Sequence, residues 1–231
     1  MLTILNELPP RFLEVDAKHL HEVLDGPTLI HLPGRRSPPL FVSTLLHGNE
    51  DSGFQAVQTL LKNHEGHELP RALSIFIGNV AAAREGVRRL QDQQDYNRIW
   101  AGNSLPEHAM VQQVVDEMRA RDVFASVDIH NNTGLNPHYA CVNSLEDQFL
   151  QLATLFGRTV VYFIRPEGVQ SAAFAHLCPA VTLECGKAGG TYGVEHAYRY
   201  LEACLNLAEI PSHPVAAGDI DLFHTVAIVK V

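Results

Sequence analysis

Basic charge is scarce in this 231-residue chain. Only 17 residues are Lys or Arg against 26 Asp and Glu, the formal net charge is -9, and no basic run exceeds the pair Arg88-Arg89. Nucleic acid is held by clustered cations, so a nucleic-acid partner is not expected. Long apolar runs are also missing: none approaches the roughly 20 residues that span a bilayer, so no membrane association is expected. The first residues, Met1 to Asp16, are apolar only briefly and lack a basic segment, so they do not read as a secretory signal. The four cysteines, Cys141, Cys178, Cys185 and Cys204, form no CxxC pair. They read as small buried hydrophobes in a reducing compartment, which makes the cytoplasm the expected location. Charged residues reach only 19%, so long disorder is not expected, and 46% hydrophobic content supports a substantial core.

Histidine is what the chain has in excess, with 13 copies. Most must be ordinary. The question is which of them converge with acidic residues.

Strand and helix patterns alternate from Thr28 to about Leu207. Expected strands cover Thr28–Leu32, Leu40–Leu46, Ala72–Ile77, Val123–His130, Thr159–Ile164 and Ala180–Glu184. Expected helices cover Asp51–Asn63, Pro106–Arg119, Glu146–Phe156 and Tyr192–Leu207. In the first helix, Phe54, Val57, Leu60 and Leu61 share one face. The alternation predicts a three-layer α/β/α sandwich with a mixed, mostly parallel sheet. Residues 1–210 are expected to form the catalytic domain, and 211–231 a short tail whose Asp219–Val231 stretch ends as a terminal strand.

Three strand ends carry chemistry. The first leads into His47-Gly48-Asn49-Glu50, the second into His130-Asn131-Asn132, and the third into Glu184-Cys185-Gly186. The HxxE spacing puts His47 and Glu50 on one face of a turn, so both can reach one ion. Two histidines, one carboxylate and a water form a catalytic zinc arrangement. His130 is the best candidate for the distant histidine. Asp128, two residues earlier on the same strand face, either orients His130 or serves as a cap or ion-pair partner.

These segments resemble the succinylglutamate desuccinylase/aspartoacylase family of the zinc carboxypeptidase clan. His47-Gly48-Asn49-Glu50 is similar to its first zinc motif, Asp95-Tyr96-Asn97-Arg98 to its DLNR motif and Asp128-Ile129-His130 to its DLH motif. Residues 182–187 resemble its catalytic-glutamate strand. The resemblance runs in order over about residues 40–200 and implies a zinc-carboxypeptidase-like fold. It implies one zinc (Zn2+) per chain on His47, Glu50 and His130, with Glu184 as general base and acid. It also implies that Asn97 and Arg98 hold a substrate carboxylate and that Asp95 supports His47. The resemblance further implies that Arg89, or Arg88 beside it, polarises the scissile carbonyl.

The expected substrate is therefore a small carboxylate-bearing molecule, and the expected reaction hydrolysis of an amide beside a free carboxylate, first of all deacylation of an N-acyl amino acid. A carboxypeptidase acting on short or cell-wall-type peptides is the alternative enzyme, and a non-catalytic binding protein of the same fold the alternative class. A homo-oligomer is compatible with all of these. Three departures from the family pattern stand out. Val80 follows Asn79 where proline is usual, and Tyr96 replaces leucine. The sequence also ends soon after Phe223, where the aspartoacylase branch continues into a β-rich domain, which implies a more open site. His64, His67 and His196 read as solvated or packed, and His138 as a loop histidine or a substrate contact. Asn131, Asn132 and Thr133 read as substrate donors or as the turn before Gly134. Gly189-Gly190 lacks a GxGxxG frame, so no dinucleotide site is expected.

Overall fold

The computed structural model describes residues 1–102 and 105–227. A nine-stranded sheet organises them. The strands are β1 (Thr3–Leu5), β2 (Thr28–Leu32), β3 (Leu40–Thr44), β4 (Leu73–Ile77), β5 (Ala125–Asn132), β6 (Tyr139–Val142), β7 (Thr159–Tyr162), β8 (Ala180–Lys187) and β9 (Asp221–His224). Their order is β1-β2-β4-β3-β5-β8-β6-β7-β9. Only the β2–β4 and β6–β8 pairs are antiparallel. The helices are α1 (Ser52–Asn63), α2 (Val80–Glu85), α3 (Pro106–Ala120), α4 (Asp147–Thr154), α5 (Gln170–Phe174) and α6 (Thr191–Asn206).

The central strands β3, β4, β5 and β8 are Leu, Ile and Val rich and almost wholly buried. That is what a parallel sheet covered on both faces requires. One face carries Ile129 and Cys185: α1 sits so tightly on it that a side chain at Gly53 would strike Ile129, and one at Gly193 of α6 would strike the Cys185 backbone. The other face carries Phe41, which stacks on Phe174 of α5 with ring centroids 4.4 Å apart. Ser126 on that face takes a hydrogen bond from Gln170 Nε2 at 2.8 Å. The α/β/α layering is therefore made by strand alternation: odd and even residues of β5 serve different helices.

The expected strands and helices between Thr28 and Leu207 are present, with ends moved by at most three residues. Four elements were not expected. β1 and β6 are short, α2 and α5 have no more than six residues, and none carries a full hydrophobic period. The tail expected as a strand contributes β9, paired with β7. Of the rest of that expected stretch, residues 225–227 are not in a strand and residues 228–231 lie outside the described residues. Among the described residues, no helix is long and apolar enough to cross a membrane.

Candidate active site

β3 ends at Thr44, and the next residue, Leu45, takes a left-handed backbone with φ of 54°. This turns the chain out of the sheet ahead of His47. Gly48 then passes against the backbone of α2: a Cβ there would lie 2.2 Å from the Ala82 carbonyl carbon and the Ala83 nitrogen. Only glycine fits this approach. The Gly48 N–H donates to Arg88 O at 3.1 Å, which ties the His47 loop to the arginine segment.

His47, Glu50 and His130 converge from this loop and from β5. They are 3%, 5% and 4% exposed. His47 Nδ1 lies 2.9 Å from Glu50 Oε1. His130 Nδ1 lies 2.7 Å from Glu50 Oε2 and 3.2 Å from His47 Nδ1. Each ring's other nitrogen faces an aspartate. His47 Nε2 donates to Asp95 Oδ1 at 3.0 Å, and His130 Nε2 donates to Asp128 Oδ2 at 2.8 Å. Asp128 in turn accepts from Ser43 Oγ at 2.7 Å. With Nε2–H donated, Nδ1 is the nitrogen each ring turns towards the other ring and the Glu50 carboxylate. Two imidazole nitrogens and a carboxylate converging in a buried site favour a cation between them, a proton or a metal ion. These residues could hold a metal ion, and nitrogen and carboxylate donors of this kind suit zinc.

Burial alone would raise the Glu50 carboxyl, but hydrogen bonds and charge from His130 and His47 outweigh it and hold it well below the usual range. Asp95 behaves likewise, lowered against its burial chiefly by His47. Burial would lower His130, yet Asp128 and Glu50 raise it well above an ordinary imidazole. The cluster is thus built to attract positive charge.

Glu184 stands beside it. On β8 it is the register partner of His130 on β5, so both side chains leave the same face on strands about 4.8 Å apart. Its carboxylate makes no hydrogen bond or ion pair among the described residues. Burial raises its pKa, with Glu50 and Asp128 adding to the rise and His130 opposing it.

Residues 36–210 match the profile of the Succinylglutamate desuccinylase/Aspartoacylase catalytic domain. The chain belongs to this family. Among solved structures it is similar to the succinylglutamate desuccinylase of Chromobacterium violaceum, with 21% identity, a TM-score of 0.70, and coverage of 84% of this chain and 72% of that one. It is similar to a succinylglutamate desuccinylase/aspartoacylase from Rhodobacter sphaeroides at 16% identity and a TM-score of 0.63, covering 84% and 63%. A metallo-carboxypeptidase from Burkholderia cenocepacia shares 16% identity with a TM-score of 0.62, covering 77% and 60%. This chain thus spans less than two thirds of the length of several of these proteins. No curated protein matches it.

Within this desuccinylase/aspartoacylase-family chain, the residues singled out in the sequence fall into two groups. His47, Glu50, His130, Asp95 and Asp128 form one connected cluster, and Asp128 is seen as the partner that orients His130. Asn97 joins them, with Nδ2 3.1 Å from His130 Nε2 and Oδ1 accepting from Gln170 N at 2.9 Å. Arg98 is exposed and donates to Asn97 O at 2.6 Å. The structure separates the two adjacent arginines, Arg89 being the first choice from the sequence and Arg88 its neighbour. Arg89 turns outward and donates to the carbonyls of Gln91 and Gln93 at 3.4 and 2.7 Å. Arg88 reaches the cluster, donating to Glu50 Oε1 at 3.2 Å and Asp95 Oδ2 at 3.1 Å. Gly48 N–H also binds the Arg88 carbonyl, which ties the Arg88 backbone to the His47 loop.

Asn131 is a lock rather than a free donor. Its N–H donates to Glu50 Oε2 at 3.1 Å, and its side chain spans Ser52 and Gly186 O. His138 pairs with His196, Nδ1 to Nδ1 at 2.8 Å, and His196 stacks on Phe156. Tyr139, which sequence reasoning passed over, lies opposite Glu184 on β6. Its strand is too short to announce itself, and only the pairing reveals its neighbour.

Proposed function

We propose that this protein is a zinc-dependent amidohydrolase that removes an acyl group from an N-acyl amino acid bearing a free carboxylate. The observation that carries this reading is the Glu184 carboxylate, without a hydrogen bond or ion pair among the described residues, standing in register with His130 of the His47–Glu50–His130 cluster. The two histidines and Glu50 would hold the zinc, which when bound supplies Lewis acidity to a carbonyl or water oxygen. Glu184 takes a proton from the attacking water and returns it to the departing amine. Its raised pKa suits both halves of that task. Arg88, half exposed beside Glu50, faces the negative charge that develops on the carbonyl oxygen. Arg98 offers a planar fork to the substrate carboxylate, and Asn97 holds the backbone that carries it.

The test combines a variant with a matched screen. Glu184→Gln should retain zinc and fold yet lose turnover, because the amide keeps the shape without the base. N-acyl amino acids, dipeptides and their C-terminal amides are then compared with the wild type. Free acids should be cleaved and amides left largely intact. Cleavage of peptides alone replaces the deacylase with a carboxypeptidase. Near-wild-type turnover by Glu184→Gln removes Glu184 from the mechanism.

A further inference from the structure

β8 lies between β5 and β6. His130 pairs with Glu184 on one side, and Tyr139 pairs with Glu184 on the other. Directly paired residues point to the same face, so His130, Glu184 and Tyr139 form one row across three strands. The Glu184 carboxylate is near enough to act on the phenol: after burial, its charge is the next cause keeping the Tyr139 hydroxyl protonated. Tyr139 therefore remains a donor at any working pH.

A second donor faces it. Asn132, two residues beyond His130, is the side chain that approaches the phenol. Its Oδ1 accepts from Asn136 at 3.0 Å, and its buried Nδ2, turned towards the phenol, has no well-formed hydrogen bond among the described residues. A buried unmet donor at a site requires an explanation, and a ligand oxygen is the simplest. The arginines lie on the other side of Glu184. Arg88 bonds Glu50 and Asp95, and Arg98 bonds the backbone of Asn97, which touches His130. A substrate whose carboxylate is held by those arginines places its acyl half over Tyr139 and Asn132.

We propose that Tyr139 and Asn132 form an acyl subsite that selects acyl groups carrying a neutral acceptor oxygen beyond the scissile carbonyl, such as an amide. This rests on the amidohydrolase reading and deepens it. A neutral acceptor is favoured over a carboxylate because the site already carries four carboxylates, Asp128 and Glu184 from the sheet and Glu50 and Asp95 from the loops beside the histidines. Lys187, the register partner of Asn132, is exposed, and solvent screens its charge.

The experiment uses a library of N-butanoyl, N-succinamoyl and N-succinyl amino acids. They have similar chain length and differ in the terminal group: none, neutral amide or carboxylate. kcat and KM are measured with wild type, and affinity with zinc-loaded Glu184→Gln, which reads the subsite without turnover. Succinamoyl compounds should be preferred over butanoyl by roughly tenfold, about the worth of one or two hydrogen bonds. The preference should lie in KM and affinity. Tyr139→Phe and Asn132→Asp, each with zinc content checked, should shrink it to about twofold or less. An equal loss for all three acyl groups marks a structural role and overturns the proposal. So does a preference that survives both variants, is absent from the wild type, or is strongest for succinyl. Binding that shows the preference while the wild type cleaves nothing removes the hydrolase reading and leaves the subsite standing.

Discussion

Arg88 Nη1 donates to Glu50 Oε1 at 3.2 Å, so the carboxylate that faces both histidines also anchors the arginine. The neighbouring Arg89 has no such contact and spends its guanidinium on loop carbonyls. The two can therefore be separated by experiment. Arg88→Ala should lower kcat/KM by about a hundred- to a thousandfold, the usual effect of losing one donor to a developing oxyanion. Arg89→Ala should change it only a few-fold. Equal losses would return the role to the pair as a whole.

The aspartates behind the histidines should matter to the metal before they matter to the substrate. Asp95 and Asp128 each take the Nε2 proton of a cluster histidine. Asp95→Asn and Asp128→Asn should each weaken zinc affinity by roughly 10- to 100-fold. His47→Ala and His130→Ala should lose the metal at ordinary concentrations. Elemental analysis after dialysis and competition with a chelating dye read both effects. Full zinc retention by both alanine variants would falsify the ligand assignment.

Gly48 should tolerate no side chain. A Cβ there meets the α2 backbone at 2.2 Å, and backbone cannot step aside as a flexible side chain can. Gly48→Ala should cost about 2 kcal/mol or more of stability and displace His47 enough to reduce zinc binding. Thermal unfolding with and without zinc checks it. An unchanged Tm and full metal content would show that α2 moves freely.

Acid should destabilise the protein through His31 as well as through the site. His31 is buried on β2, Nδ1 2.8 Å from Ser74 Oγ. Burial first, and then the Arg121 charge, lower its pKa to about 4. The unfolded value is near 6.5, so between those pH values the unfolded chain binds more protons than the folded one. Stability therefore rises with pH across that window and is lost as pH falls from about 6.5 towards 4. The full effect is roughly 3 kcal/mol as an upper figure. His31→Gln should flatten the pH dependence of urea unfolding between pH 6.5 and 4. A slope unchanged by the substitution assigns that acid sensitivity to other groups.

The motifs at His47 and His130 were legible in the sequence because a mostly apolar stretch leads into each and stops at a polar residue. Leu40–Leu46 before His47, and Val123–Ile129 before His130, show that break without any structure. The period of β5 also placed Asp128 on the same face as His130, since strand geometry repeats every two residues. The direction of Arg88 and Arg89 was not legible. Both are adjacent and chemically identical, and what separates them is the tertiary placement of Glu50 and Asp95 beside Arg88 alone. Tyr139 beside Glu184 was equally hidden. β6 has four residues, and its antiparallel placement next to β8 follows from the order of the whole sheet. Local periodicity can name an element and its buried face, because it reports the burial of each residue in turn. Which strands become neighbours, and so which side chains share a face, depends on long-range pairing that no window of sequence contains.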